Sequence, residues 1–367
     1  MATKGRIIHI STPRSWRGGE QQLAYLVEEL QDSPFEQLVF CNSKGAVTQR
    51  CQAAGWNHLT FSRKTALPVA AARQLARICK SGPPTLLHVH DSHAHTLAVL
   101  SASLFGNSCP IIVSRRVDFP VKKSPLSRWK YNHASVAKIL CVSDMIRRIT
   151  APAIKDQDKL AVVYSGVDTN RFPYPASGIL RREFQIPDHF HLIGNVAAIA
   201  PHKDYFTFVD TAALLLQKQQ NLHFLIIGGD GGEQAAIEAY IRSKKLEAHI
   251  TLTGFRRDIP KVLPEIDILL FTSKTEGLGT SLIDAFLCEV PVVATNTGGI
   301  PELVIHEKTG LLAPAQAPEK LALEVRRLLA DPDLAAELCS HALEKAQAFS
   351  KQKTAQQTLY WYRQLFG

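Results

Sequence analysis

Two acids eight residues apart, Glu276 and Asp284, mark the part of this 367-residue chain best suited to chemistry: IDILLFTSKTEGLGTSLIDAFLCE, residues 266–289. Ile266 to Phe271 is nearly all apolar and predicts a buried parallel strand. A short loop with Gly277 and Gly279 follows, then a helix capped by Thr280. A strand that ends in a glycine-containing turn and feeds a helix leaves free backbone N–H groups converging on one spot, where the helix dipole also favours negative charge. That describes an anion site. A carboxylate beside it is poorly placed to bind phosphate and well placed to accept hydrogen bonds from sugar or ribose hydroxyls. Phosphate plus polyol points to a nucleotide sugar. The spacing alone leaves a plainer alternative open, in which Glu276 is a loop charge and Asp284 faces solvent.

Glu276-Gly277 with a second acid eight residues after Glu276 resembles the paired-acid motif of family 4 retaining glycosyltransferases. The resemblance implies the GT-B fold, an α/β architecture of two Rossmann-like doubly wound domains facing each other across a cleft. It implies that Glu276 holds sugar hydroxyls, that Gly277, Leu278, Gly279 and Thr280 line the donor, and that Asp284 contacts ribose. The family usually has Glu at the second acid, so Asp284 is one methylene short.

The same comparison covers motifs along nearly the whole chain. After a first strand near Arg6 to Ile10, Gly18-Gly19 precedes a helix with Leu23, Leu26, Val27 and Leu30 on one face, and Glu20 sits in its first turn. By spacing this is a tight turn or a close backbone approach to a ligand. By resemblance, Gly18 and Gly19 lie against the donor diphosphate and Glu20 on the acceptor side. HVHDSHAH brings His88, His90, His93 and His95 together in sequence. His88 and His90 share one strand face, but nothing in the spacing fixes His93 or His95 beside them, and Asp91 is the one nearby carboxylate, so no metal is expected. The family's His-x-His places His90 near the transferred sugar. His88 is expected in the core, and His93 and His95 on a helix surface.

Lys203, just before a helix in VAAIAPHKDYF, is a candidate to neutralise diphosphate charge, although Ala197-Ala198 stands where the family has Gly-Arg. GFRRDIP, with Gly254, Phe255 and Arg256, occupies the place where the family reads the nucleobase. Gly298-Gly299 resembles its loop near the nucleotide. IIGGDGG is not G-x-G-x-x-G, so no nicotinamide cofactor is supported. The resemblance implies retention of anomeric configuration with no cofactor beyond the nucleotide sugar and no required metal: Glu276, His90 and Lys203 act on the reacting groups. Two rivals remain: a nucleotide-sugar epimerase on the same fold, and a non-catalytic nucleotide-sugar-binding protein made conceivable by Ala198.

The elements that position these residues follow from composition and alternation. A 46% hydrophobic chain of this length exceeds one ordinary core and suits two domains, and a 20% charged content argues against general disorder. Strand-helix alternation runs to about residue 165 and restarts at His191. Gly166-Val167-Asp168, with Ser165 in place of the family's Asn, and Pro173 and Pro175 mark a boundary near 170. With that boundary, the resemblance implies domains 1–170 on the acceptor side, 171–348 for the nucleotide sugar, and a terminal helix, 349–367, packing back on the first. Seven cysteines without a C-x-x-C pair suit reduced thiols. No apolar run is long enough to span a membrane, and the first residues do not form a signal peptide, so a cytoplasmic location is expected.

Residues 1–170 hold 22 Lys and Arg against 11 Asp and Glu; the remainder holds 20 against 22. The positive field belongs to the first half. SRRVDFPVKKSPLSRWKY interleaves Arg115, Arg116, Lys122, Lys123, Arg128 and Lys130 with Phe119, Trp129 and Tyr131. It suits either a solvated loop or an anionic or lipid-linked acceptor, such as a lipopolysaccharide or polysaccharide intermediate, with contact at the anionic inner face of a membrane. No nucleic-acid-binding pattern is present. Arg115 and Arg116 are the acceptor-side candidates here.

Overall fold

A computed structural model describes residues 5–62, 68–172 and 175–366. The chain divides into two units, Met1–Gly166 with Lys351–Gly367, and Val167–Ser350. Pro173 lies outside the described residues.

The first unit is built on seven parallel strands: β1 (Gly5–Ser11), β2 (Phe35–Asn42), β3 (His58–Phe61), β4 (Thr85–Val89), β5 (Ile111–Arg115), β6 (Val136–Cys141) and β7 (Leu160–Val162), in the order 3-2-1-4-5-6-7. Alternation assigns the faces. Ile8, Ile10, Leu87 and Val89 enter one core, whereas Ile7 and Leu86 enter another with Ala355 and Tyr362 of the terminal helix Lys351–Phe366. Parallel pairing sets His9 opposite His88 on the Ile7 face. β3 is an edge strand whose Leu59 and Thr60 are exposed, so it lacks the apolar run of its neighbours.

The second unit carries six parallel strands, β8 (His191–Val196), β9 (Leu222–Ile227), β10 (Ile250–Gly254), β11 (Ile268–Phe271), β12 (Val292–Thr295) and β13 (Leu311–Ala313), in the order 10-9-8-11-12-13. One core packs Phe208, Phe224, Leu270 and Val293 with Leu321 and Val325 of the helix Pro318–Ala330. In each sheet the strand order reverses once, between β1 and β4 and between β8 and β11. Such reversals leave a crevice at the strand C-termini where the two outgoing loops diverge.

Candidate active site

In the second unit the loops leaving β8 and β11 are stitched together. Thr272 Oγ1 donates to the Lys203 carbonyl at 3.0 Å, and the Lys274 N–H to the His202 carbonyl at 2.8 Å. The Lys203 ammonium is ion-paired with the Glu276 carboxylate, both side chains being largely shielded, and it sits 5.0 Å from the centre of the Phe271 ring. The lysine and the acid, 73 residues apart in the chain, are thus brought together at the reversal.

Glycines hold a third loop against this one. A Cβ on Gly298 would lie 2.4 Å from the Glu276 carbonyl oxygen, and one on Gly299 would lie 2.3 Å from that of Gly277. The Gly299 N–H donates to the Glu276 carbonyl at 2.8 Å. The helix Thr280–Leu287 is entered through Gly279 at φ 88°, so Gly279 caps it and Thr280 is its first residue, contrary to the sequence expectation. The left-handed entry favours glycine over a threonine cap. Asp284, one turn in, has its Oδ1 closed off from solvent with no hydrogen-bond partner among the described residues. Burial pushes its carboxyl up to about 7, against the pull of the nearby Arg171 charge. Leu278 is buried. Gly254 has φ 72° and leads into Phe255, which is 69% exposed.

In the first unit Asp91 does the stitching. Its carboxylate accepts from Thr12 N–H (2.8 Å) and Thr12 Oγ1 (2.7 Å) beyond β1, and from the N–H groups of His93 and Ala94 at the start of the helix Ser92–Phe105. Gly18 and Gly19 open the helix Gly18–Glu29; neither has a positive φ, and a Cβ on either would meet nothing within 4 Å. Neither backbone conformation nor packing demands glycine there. Glu20 is buried, and its carboxylate accepts from the Arg17 N–H at 2.9 Å.

His90 lies among three packed imidazoles. His9 Nδ1 is 3.0 Å from His90 Nε2, His9 Nε2 is 2.9 Å from Gln37 Oε1, and His88 is held by the Tyr362 hydroxyl and Ser114 Oγ. Burial lowers all three pKa values, that of His9 to about 4, so the rings are neutral at pH 7. Ligand nitrogens of His9, His88 and His90 all lie within 4.8 Å of one another. The third imidazole thus comes from β1, not from His93 or His95. The ring nitrogens are engaged with one another, with Gln37, with Tyr362 and with Ser114, except His90 Nδ1, which has no partner among the described residues. His90 also lines a cavity of about 340 Å³ with Glu20, His95, Arg116, Lys130 and Tyr131. Arg116 Nε and Nη1 and both ring nitrogens of His95 are buried there without hydrogen-bond partners among the described residues. Burial pulls the Arg116 guanidinium down to about 10, so it stays charged.

Residues 177–348 match the family described as glycosyl transferases group 1, and residues 16–171 match glycosyltransferase family 4. The chain belongs to the group 1 glycosyltransferases. It is 24% identical to an N-acetyl-alpha-D-glucosaminyl L-malate synthase of Bacillus anthracis, over 80% of this chain and 78% of that one. To a 2-deoxystreptamine glucosyltransferase of Streptomyces kanamyceticus it is 29% identical, over 70% and 67%. The solved structure of HepE from Anabaena, in complex with UDP-glucose, superposes with a TM-score of 0.85 at 21% identity, covering 98% of this chain and 99% of that chain. This likeness establishes the GT-B fold.

Within this glycosyltransferase, three expectations change. Arg115, read as an acceptor-side group, is the last residue of β5 and is buried. It donates to Thr150 Oγ1 (2.6 Å), the Tyr131 hydroxyl (2.8 Å) and the Phe119 carbonyl, and so braces the cavity wall. Arg256, expected where the family reads the nucleobase, is paired through two nitrogens with Asp258 and through a third with Glu183. His95, expected on a helix surface, is fully buried, whereas His93 is exposed. Sequence reading missed His9, Gln37 and Tyr362. For His9 the one available signal was its position at the end of an apolar strand; its partner depends on the pairing of β1 with β4.

Proposed function

We propose that this glycosyltransferase moves a sugar, with retained anomeric configuration, from a nucleoside diphosphate donor to a hydroxyl of an anionic acceptor. The observation that carries the reading is the Lys203–Glu276 pair at the β8/β11 reversal, beside a helix entered through glycine. On donor binding the ammonium turns to the diphosphate and Glu276 accepts from sugar hydroxyls. Asp284, with an unpartnered oxygen, accepts from ribose. Arg171, whose charge reaches Asp284, is a basic group at this end of the unit, where Ala198 supplies none. The acceptor oxygen attacks the anomeric carbon on the face that the diphosphate leaves. The new C–O bond forms as the bond to the phosphate oxygen breaks, and that oxygen takes the acceptor's proton.

The acceptor reading is supported by the first unit. Its cavity presents Arg116 with unpartnered nitrogens, and Lys130, beside the carboxyls of Glu20 and Asp91, of which Asp91 is already engaged by Thr12 and the backbone of His93 and Ala94. The relatives named above differ here: the synthase's name specifies L-malate, an anion, and the transferase's name specifies 2-deoxystreptamine, an amine. The cavity favours the anion. A lipid-linked anion is also supported, because Phe119, Leu126 and Trp129 are 55%, 71% and 44% exposed in the segment that carries Lys122, Lys123 and Arg128, consistent with contact at an anionic membrane face. No helix among the described residues is long and apolar enough to cross a membrane.

The test follows nucleoside diphosphate release from UDP-glucose and other nucleotide sugars, offered L-malate, a polyol phosphate or 2-deoxystreptamine. Release that depends on an anionic acceptor, and that falls about 100-fold or more in a folded Glu276→Ala variant, is expected. Undiminished turnover in that variant defeats the assignment. An epimerised donor without transfer supports the epimerase instead.

A further inference from the structure

The hydrogen-bond directions around His90 can be worked out one partner at a time. Gln37 Nε2 lies 2.8 Å from the Phe35 carbonyl and 3.1 Å from Ser33 Oγ. A carbonyl only accepts, so the amide nitrogen faces Phe35 and Gln37 Oε1 faces His9. Oε1 also only accepts, which places the proton of His9 on Nε2, at 2.9 Å. A neutral imidazole carries one proton, so His9 Nδ1 is a bare lone pair. The 3.0 Å contact from that atom to His90 Nε2 therefore requires the proton on His90 Nε2. His90 Nδ1 is left unprotonated, buried, and without a partner among the described residues. An unmatched buried acceptor costs stability unless a ligand fills it.

We propose that Gln37 and His9 form a positioning relay that holds His90 as its Nε2–H tautomer, so that the bare Nδ1 accepts a hydrogen bond from a hydroxyl of the transferred sugar. The sugar contact rests on the function proposed above; the tautomer does not. Neither Gln37 nor His9 touches the reacting atoms. Both lie in strands of the first sheet, Gln37 in β2 and His9 in β1, and Ser33 and Phe35 lock the amide at the far end. The relay gives the transferase a requirement on its donor: the sugar must offer a hydroxyl proton, not only an acceptor oxygen, to this nitrogen.

The experiment is ¹⁵N NMR of the full chain labelled at histidine, at pH 7, with His90 assigned by the signals lost in His90→Gln. The expected spectrum shows His90 protonated on Nε2 with an unprotonated Nδ1. A proton on Nδ1 in the wild-type protein overturns the relay, whatever the activity. In the wild type Gln37 Oε1 is the acceptor that faces His9. Gln37→Leu removes it, and is expected to bring a second His90 tautomer into the spectrum and lower kcat about tenfold, the size of one lost hydrogen bond, with donor KM changed less. If Gln37→Leu does not fold, the wild-type spectrum still decides. A Gln37→Leu protein that keeps a single Nε2–H tautomer contradicts the relay. The expected tautomer with unchanged kcat in Gln37→Leu leaves the relay standing and removes the sugar contact.

Discussion

The two units solve the same topological problem with different chemistry. Each reverses its strand order once and must hold two diverging loops at that point. The first does so with an acid that accepts neutral backbone and hydroxyl hydrogen bonds, Asp91, and leaves cationic and imidazole nitrogens unmatched in a cavity. The second does so with opposite charges, Lys203 against Glu276, and with glycines packed backbone to backbone. Among the described residues its unmatched groups there are neutral or acidic: the Asn195 amide, Ser273 Oγ and the carboxyl of Asp284. Groups left unpaired in a folded protein indicate what a ligand must supply. Under the proposed function, the first unit takes an anion and a hydroxyl donor, and the second takes hydroxyls beside a phosphate.

The adjacent arginines of the first unit sharpen this contrast most. Arg115→Met orphans a hydroxyl pair and a carbonyl and should destabilise by about 3–5 kcal/mol, read in a denaturant melt, because it empties a buried hydrogen-bonded site. Arg116→Met removes a buried cation with unmatched donors. Its melt should be unchanged or improved, while kcat/KM for the anionic acceptor falls about 10- to 100-fold. Equal destabilisation of the two variants would break the distinction between wall and ligand group.

The glycines provide the next comparison. Gly299→Ala forces a Cβ onto the Gly277 carbonyl and should cost about 1–3 kcal/mol. Gly19→Ala has open space in a helix and should gain up to about 1 kcal/mol while lowering turnover. A Gly19→Ala enzyme with full activity would reduce that loop to a helix start.

Asp284 is tested through pH. Its folded pKa of about 7 exceeds the ordinary carboxyl value, so the native state binds more protons than the unfolded one across the interval between them. Stability should therefore fall as pH rises from about 4 to 7, and melting temperatures of Asp284→Asn should show a flatter profile. Ribose donating to Oδ1 favours the carboxylate, so nucleotide binding near pH 7 should release protons, detectable by calorimetry in buffers of different ionisation heat. Identical pH profiles for the variant and the wild type would contradict the buried acid.

Much of this was legible before any coordinates. The alternation and its restart gave two α/β units, and Gly18-Gly19, His90, Lys203 and Glu276 lie on the four loops that flank the reversals, because glycine-rich strand ends are a local signal. What was not legible depends on pairing between distant segments. His9 meets His90 only because β1 lies beside β4, and Tyr362 reaches His88 from 274 residues away. Arg115 and Arg116 look like one basic patch in the sequence, but Arg115 ends the strand Ile111–Arg115 with its guanidinium spent on Thr150, Tyr131 and Phe119, whereas Arg116 keeps unmatched nitrogens. Arg256 looked free because its partners, Asp258 and Glu183, carry no motif.

The most direct test of the donor half is a calorimetric titration of UDP into the wild type, Lys203→Met and Glu276→Gln. Lys203→Met should lose at least about tenfold in affinity, whereas Glu276→Gln, freed of the carboxylate that holds the ammonium, should bind UDP as well or better and yet turn over its sugar donor about 100-fold more slowly. Wild-type affinity in Lys203→Met, or wild-type turnover in Glu276→Gln, would contradict a donor site built on this pair.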